Sequence, residues 1–116
     1  MSITIYHNPR CSKSRQTLAL IRDRGFEPRV VEYLRQPPTR QELKRIIDCL
    51  GIAARDVIRS SEPEYRSLGL DDASLDDSVL IEAACEHPRL LQRPIVLRGE
   101  RARIGRPPEA VEDLLT

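Results

Sequence analysis

An alternating, β-branched run, Ser2-Ile3-Thr4-Ile5-Tyr6, gives way within a few residues to a helical pattern from Ser12 to about Gly25. Leu18, Leu20 and Ile21 mark the apolar side of that helix, and Arg29-Val30-Val31-Glu32-Tyr33 then reads as a second strand. This βαβ succession limits the possible folds more than any other feature, because two strands joined through a helix share one sheet with the helix laid across it. Cys11 falls where the first strand hands over to the helix. The unpaired N–H groups and the positive dipole end at such a point stabilise an anion, a thiolate included.

Further along, Pro37-Pro38 breaks the chain and Thr39-Arg40-Gln41-Glu42 matches a capping box. Leu43, Ile46, Ile47 and Leu50 follow at helical spacing, and Gly51 supplies the stop. Cys49 sits at the edge of that apolar face, a packing position. From about 52 to 90 the pattern is helical, with no strand signal. A turn spans Ala53 to Arg59, Ser61-Glu62-Pro63 places proline in a first helical turn, and Asp76-Asp77 opens a helix that runs through Cys85 to His87-Pro88. The small inward residues around Cys85 make it a core position. Pro94-Ile95-Val96-Leu97 is a short apolar strand, Gly99-Glu100 a hairpin turn, and Arg101 to Ile104 the returning strand. Arg106-Pro107-Pro108-Glu109 opens a terminal helix carrying Val111, Leu114 and Leu115. The expected architecture is therefore α/β with four strands in a mixed sheet: βαβ, a helical insertion at about 39–90, then ββα. With no linker, repeat or low-complexity tract, residues 1–116 read as a single domain.

A chain of 116 residues buries roughly two thirds of its unfolded surface, enough for a core without disulfides or a structural metal. Formal net charge is +1, which argues against broad electrostatic capture of nucleic acid or a membrane surface. The cations are nevertheless almost all Arg, with Lys only at 13 and 44, and Arg forks bind oxyanions bidentately. Three widely spaced cysteines, with no CxxC and no Cys/His cluster, predict no metal site. The N-terminus has no secretory pattern and no apolar run approaches a membrane span, so a reducing cytoplasm is the expected location.

Four segments now stand in order: Tyr6-His7-Asn8-Pro9-Arg10-Cys11-Ser12-Lys13-Ser14-Arg15, His87-Pro88 with Leu90-Leu91, Arg93-Pro94-Ile95-Val96, and Gly105-Arg106-Pro107. In these segments the chain resembles, end to end, the glutaredoxin-dependent arsenate reductases, and in its βαβ–ββα order it resembles the thioredoxin/glutaredoxin-like fold. The fold resemblance implies a cis proline beside the cysteine, and Pro94 occupies that place; X-Pro is the one bond that turns cis at modest cost. The family resemblance implies that Cys11 is the nucleophile that attacks arsenate. It also implies that Arg59, Arg93 and Arg106 hold the oxyanion, and that His7 and Ser14 help tune the thiol. Physically, a thiolate attacking an oxyanion brings two negative partners together, so the site has to supply positive charge.

Ser14 takes the second position of Cys-x-x-Ser, where a dithiol enzyme carries its resolving cysteine. A lone thiol needs an external reductant, which favours glutathione and glutaredoxin, as the resemblance also implies. The expected cycle uses glutathione as co-substrate and no bound metal or organic cofactor. Phosphatase-like enzymes would need Cys-x5-Arg, and position 17 is Thr. Two alternatives stay open at this point. One is an Spx-like redox regulator, a class that switches through Cys-x-x-Cys; the other is a thiol oxidoreductase of the same fold acting on another substrate.

Overall fold

The computed structural model describes residues 2–116. The chain forms two compact units, one running up to Gln36 and resuming at Arg93–Thr116, the other made of Pro37–Gln92.

The first unit contains a four-stranded sheet. Strands β1 (Ile3–His7), β2 (Arg29–Glu32), β3 (Ile95–Arg98) and β4 (Arg101–Ile104) lie in the order β2-β1-β3-β4. Helix α1 (Ser12–Asp23) crosses from β1 to β2, so those two strands pair in parallel, Ile5 opposite Val30. β3 runs antiparallel to β1 with Ile5 opposite Val96, and β4 antiparallel to β3 with Ile95 opposite Ile104. The β3–β4 turn uses Gly99 at φ 64°, a value that L side chains avoid. This is the mixed α/β sheet of the thioredoxin/glutaredoxin-like fold expected from the element order.

Ile3, Ile5, Ile21, Val96, Val111, Leu114 and Leu115 make one buried aliphatic cluster, against which Leu18, Leu20 and Phe26 pack. At roughly 1.5–3 kcal/mol for each fully buried aliphatic side chain, that cluster is the main force fixing α1 and the C-terminal segment to the sheet. The C-terminal helix differs from the α-helical expectation. Pro108–Leu114 winds as a 3₁₀ helix, in which residues three apart are eclipsed. Pro108, Val111 and Leu114 are its buried residues, so the tighter winding aligns all three on one face, and two successive prolines had already removed the first-turn donors.

The second unit holds α2 (Arg40–Leu50), α3 (Pro63–Ser67) and α4 (Asp77–Glu86). The capping box at Thr39 is complete: Glu42 N–H donates to the Thr39 hydroxyl at 3.1 Å, and Thr39 N–H donates to Glu42 Oε1 at 2.9 Å. Gly51 ends α2 in the left-handed region at φ 69°, and Asp76 caps α4. The helical expectation for 52–90 missed one feature, an antiparallel bridge between Ile58 and Leu91. Arg59 N–H donates to Leu90 O at 2.6 Å and Gln92 N–H to Val57 O at 2.8 Å, so extended backbone flanks Arg59.

Candidate active site

The chain leaves β1 through a tight loop before α1 begins. Asn8 organises that loop three ways: its carbonyl accepts Cys11 N–H at 3.0 Å, its side-chain Oδ1 accepts Arg10 N–H at 3.0 Å, and its own N–H donates to Ser14 Oγ at 3.0 Å. The Arg15 guanidinium closes over the loop, donating from Nη1 to Pro9 O at 2.9 Å. Cys11 emerges as the N-cap of α1, with extended backbone at φ −96° and ψ 123°, and its carbonyl accepts Arg15 N–H at 3.0 Å. An N-cap oxygen normally accepts the N–H groups of the following turn. Here Cys11 holds the N-cap position without a side-chain cap hydrogen bond, which leaves its sulfur at the positive end of the helix.

Burial acts to push the Cys11 thiol up, but the other influences outweigh it. The Ser14 backbone N–H, a hydrogen bond from the Arg93 side chain, the Lys13 backbone N–H and the Arg93 charge together hold the thiol below its ordinary value. Arg106 adds a further cation: its Nη1 lies 3.9 Å from Cys11 Sγ and donates to Arg93 O at 3.3 Å. The pH profile of iodoacetamide alkylation, read at the Cys11 peptide by mass spectrometry, should therefore have its midpoint below that of a free thiol in the same buffer. A midpoint at or above the free thiol would remove the case for activation.

Backbone contacts hold the two arginines near α1. Gly105 N–H donates to Pro94 O at 2.9 Å, extending the β3–β4 pairing by one step, and both the Arg93–Pro94 and Arg106–Pro107 bonds are cis. Gly105 is required here by contact. A Cβ at that position would lie 2.6 Å from Thr17 Oγ1 and 2.8 Å from Pro94 Cγ. Thr17, fully buried on α1, spends its hydroxyl on Lys13 O at 2.8 Å. The Gly105 backbone thus rests directly on α1 at Thr17, six residues along the chain from Cys11.

Of the thiol-tuning candidates, His7 and Ser14 pair with each other. His7 Nδ1 and Ser14 Oγ are 2.6 Å apart, both side chains buried. Ser14 Oγ already accepts Asn8 N–H, so the arrangement that uses every group has the hydroxyl proton donated to a neutral His7 Nδ1. Burial holds His7 below the usual imidazole range, with Arg22 and Arg15 acting the same way and Glu32 opposing, which fits the neutral ring. Ser14 reaches the sulfur through its backbone N–H, while its hydroxyl is committed to the loop.

Arg59 belongs to the second unit, where its Nε lies 3.4 Å from Glu62 Oε1; Arg89 takes the other oxygen of Glu62 at 3.3 Å. Cys49 and Cys85 lie in the same unit, on α2 and α4, and all three cysteines are free. Burial, with Glu42, Glu82 and Glu86 adding to it against Arg40, pushes the Cys85 thiol up, the opposite of Cys11. Among the described residues, no group of three or more His, Cys, Asp or Glu side chains is placed to hold a metal, and no helix is long and apolar enough to cross a membrane. The sequence reading gave Asn8 no role, although Asn before Pro at the end of a strand is a turn signal whose side chain commonly bonds backbone two residues on.

The arsenate reductase of Rhizobium meliloti is 48% identical over 115 residues, covering 99% of this chain and 82% of that protein. That of Neisseria meningitidis is 49% identical over 114 residues, 97% of each chain. A solved structure titled arsenate reductase from Vibrio cholerae superposes with a TM-score of 0.95 at 48% identity, covering 97% of each chain. The sequence also matches the ArsC family over residues 6–114, a span that takes in the whole Cys11 loop, Arg93 and Arg106. This chain belongs to the ArsC family.

Proposed function

We propose that the chain is an arsenate reductase whose nucleophile is the Cys11 thiolate. The observation that carries this reading is the setting of Cys11 Sγ at the head of α1, with Arg106 Nη1 3.9 Å from it and donating also to Arg93 O. Such a setting favours the thiolate and also offers positive charge to a tetrahedral oxyanion approaching it. The names of the relatives support arsenate as that oxyanion. Arg59 joins Arg93 and Arg106 as a third oxyanion ligand on the strength of the family resemblance.

In the proposed cycle the Cys11 sulfur forms a bond to arsenic, and one arsenate oxygen leaves as water after taking up protons. Glutathione then displaces a second arsenic-bound oxygen, which takes up protons and leaves as water, and its sulfur becomes bonded to arsenic. A glutaredoxin thiolate attacks the glutathione sulfur and forms a mixed disulfide; the arsenic–sulfur bond breaks, and its electron pair stays on arsenic, which passes from the +5 to the +3 state. Water finally frees arsenite and returns Cys11. Ser14 cannot resolve a disulfide, which is why external thiols, and so a glutathione-reduced compartment such as the cytoplasm, are part of the reading. The test is arsenate-dependent NADPH consumption with glutathione, glutaredoxin and glutathione reductase supplied. Consumption should require arsenate and both thiol carriers. Turnover supported by thioredoxin but not by glutaredoxin would overturn the reductant assignment, and no arsenate dependence with Cys11 fully reduced would overturn the substrate.

A further inference from the structure

The Cys11 loop depends on a side chain that takes no part in the proposed chemistry. Asn8 receives the N–H of Cys11 on its main-chain oxygen and the N–H of Arg10 on its side-chain oxygen, both at 3.0 Å. The second bond fixes which end of the amide faces the backbone, because only the carbonyl oxygen accepts. Together the two bonds tie residues 8 to 11 into one turn. That turn sets the direction in which the chain enters α1, and hence whether the sulfur of Cys11 meets the Lys13 and Ser14 N–H groups or swings past them. Asn8 N–H on Ser14 Oγ ties the same turn to the first turn of the helix, at 3.0 Å.

The choice of amide is also informative. An Asx turn forms equally well with Asp. A carboxylate held on the Arg10 N–H would, however, place a second negative charge beside a thiolate, and a like charge favours the protonated thiol. Arg15 already spends its guanidinium on Pro9 O, and Arg10 is exposed, so neither is committed to neutralising such a carboxylate. Arg106 Nη1, 3.9 Å from Cys11 Sγ, is the cation placed at the sulfur, and Arg93 and the first-turn N–H groups act in the same direction on the thiol.

We infer that Asn8 is a positioning residue for the Cys11 thiolate, serving as an uncharged acceptor that holds the turn delivering Cys11 to the head of α1. The inference deepens the proposed thiolate chemistry and rests on it, but not on arsenate being the substrate.

Three variants of the full chain separate the two parts of the idea: Asn8→Ala removes the acceptor, Asn8→Ser keeps a shorter uncharged one, and Asn8→Asp keeps the shape and adds charge. The readout is the midpoint of Cys11 alkylation against pH, taken without arsenate, with circular dichroism confirming the fold. Gln16→Ala, an exposed neighbour on α1, is the control and should not move the midpoint. Asn8→Ala should raise the midpoint by about half a unit or more, and Asn8→Asp by about one unit or more, as expected for a lost preorganised anion site and for an added like charge. Asn8→Ser should recover at least about half of the alanine shift, because hydroxyls make the same turn more weakly. An unchanged midpoint in Asn8→Ala, or a serine variant no better than alanine, would overturn the positioning role. An aspartate variant matching the parent would overturn the requirement for neutrality. Should Asn8→Ala not fold, serine and aspartate still decide the matter, since both keep an acceptor and equal midpoints for the two would sink the inference. Failure of arsenate turnover would leave these alkylation results untouched, so the two readings fail separately.

Discussion

Cys11→Ser should lose arsenate-dependent turnover by at least roughly a thousandfold, well within what deleting a nucleophile costs. A hydroxyl in the same place has a pKa far above that of a thiol, so the helix end and the Arg93 contact that stabilise a thiolate cannot produce a usable alkoxide. The structure also sets the control. Cys49 and Cys85 belong to the helical unit, half-buried on α2 and α4, and burial with three nearby glutamates disfavours the Cys85 thiolate. A double variant, Cys49→Ser with Cys85→Ala, should keep most of the activity in the coupled glutathione and glutaredoxin assay. Loss of activity in that double variant, with its fold intact by circular dichroism, would indicate an internal resolving thiol and refute the single-thiol cycle.

The second large effect concerns the oxyanion. Arg93→Ala and Arg106→Ala should each lower kcat/KM by roughly ten- to a hundredfold or more, the equivalent of about 1.5–3 kcal/mol for a charge-assisted hydrogen bond. The two should differ in one respect. Arg93 is among the influences that hold the Cys11 thiol low, so its loss should also raise the Cys11 alkylation midpoint. Arg106 touches the sulfur only at 3.9 Å and is exposed, so its loss should fall mainly on the anion. Lys at either position keeps the charge without the planar fork and should recover only part of the activity. Arg59→Ala should show a comparable loss if the third ligand carried by the family resemblance holds. Arg22 and Arg24 serve as controls: each is exposed and paired with a carboxylate, Glu27 and Glu112, and such surface pairs are worth about 0–1 kcal/mol. If the clamp variants fold normally and turn over arsenate like the controls, the oxyanion assignment is wrong. A thiol-dependent regulatory or binding role would then describe the chain better.

Apart from the Asn8 turn, the features that depend on neighbours a few residues away were legible in the sequence. Thr39 and Glu42 form the capping box their spacing requires, Gly51 ends α2, Asp76 caps α4, and Cys11 stands at the head of α1, because helix ends are settled by hydrogen bonds spanning three or four residues. The alternating and β-branched runs likewise locate β1 and β2, the short apolar run β3, and the Gly99-Glu100 turn β4. The 3₁₀ winding of Pro108–Leu114 was not legible, since it answers to the sheet beneath it; nor was the Ile58–Leu91 bridge, whose two strands are single residues with no period to detect.

The site divides along the same line. Local order supplies the helix-end N–H groups to Cys11, and it commits Ser14 and Asn8 to the loop. No local rule brings Arg106 to within 3.9 Å of a sulfur 95 positions earlier in the chain. That approach requires β3 to insert between β1 and β4, and the Gly105 backbone to rest against Thr17. Strand order and close backbone contact are set by the packing of the Ile5, Ile21, Val96, Val111 cluster as a whole. Sequence determined where the thiol lies on its helix, and tertiary structure decided which charges face it, because hydrogen bonds at a helix end are local while the placement of a distant guanidinium is a property of the assembled core.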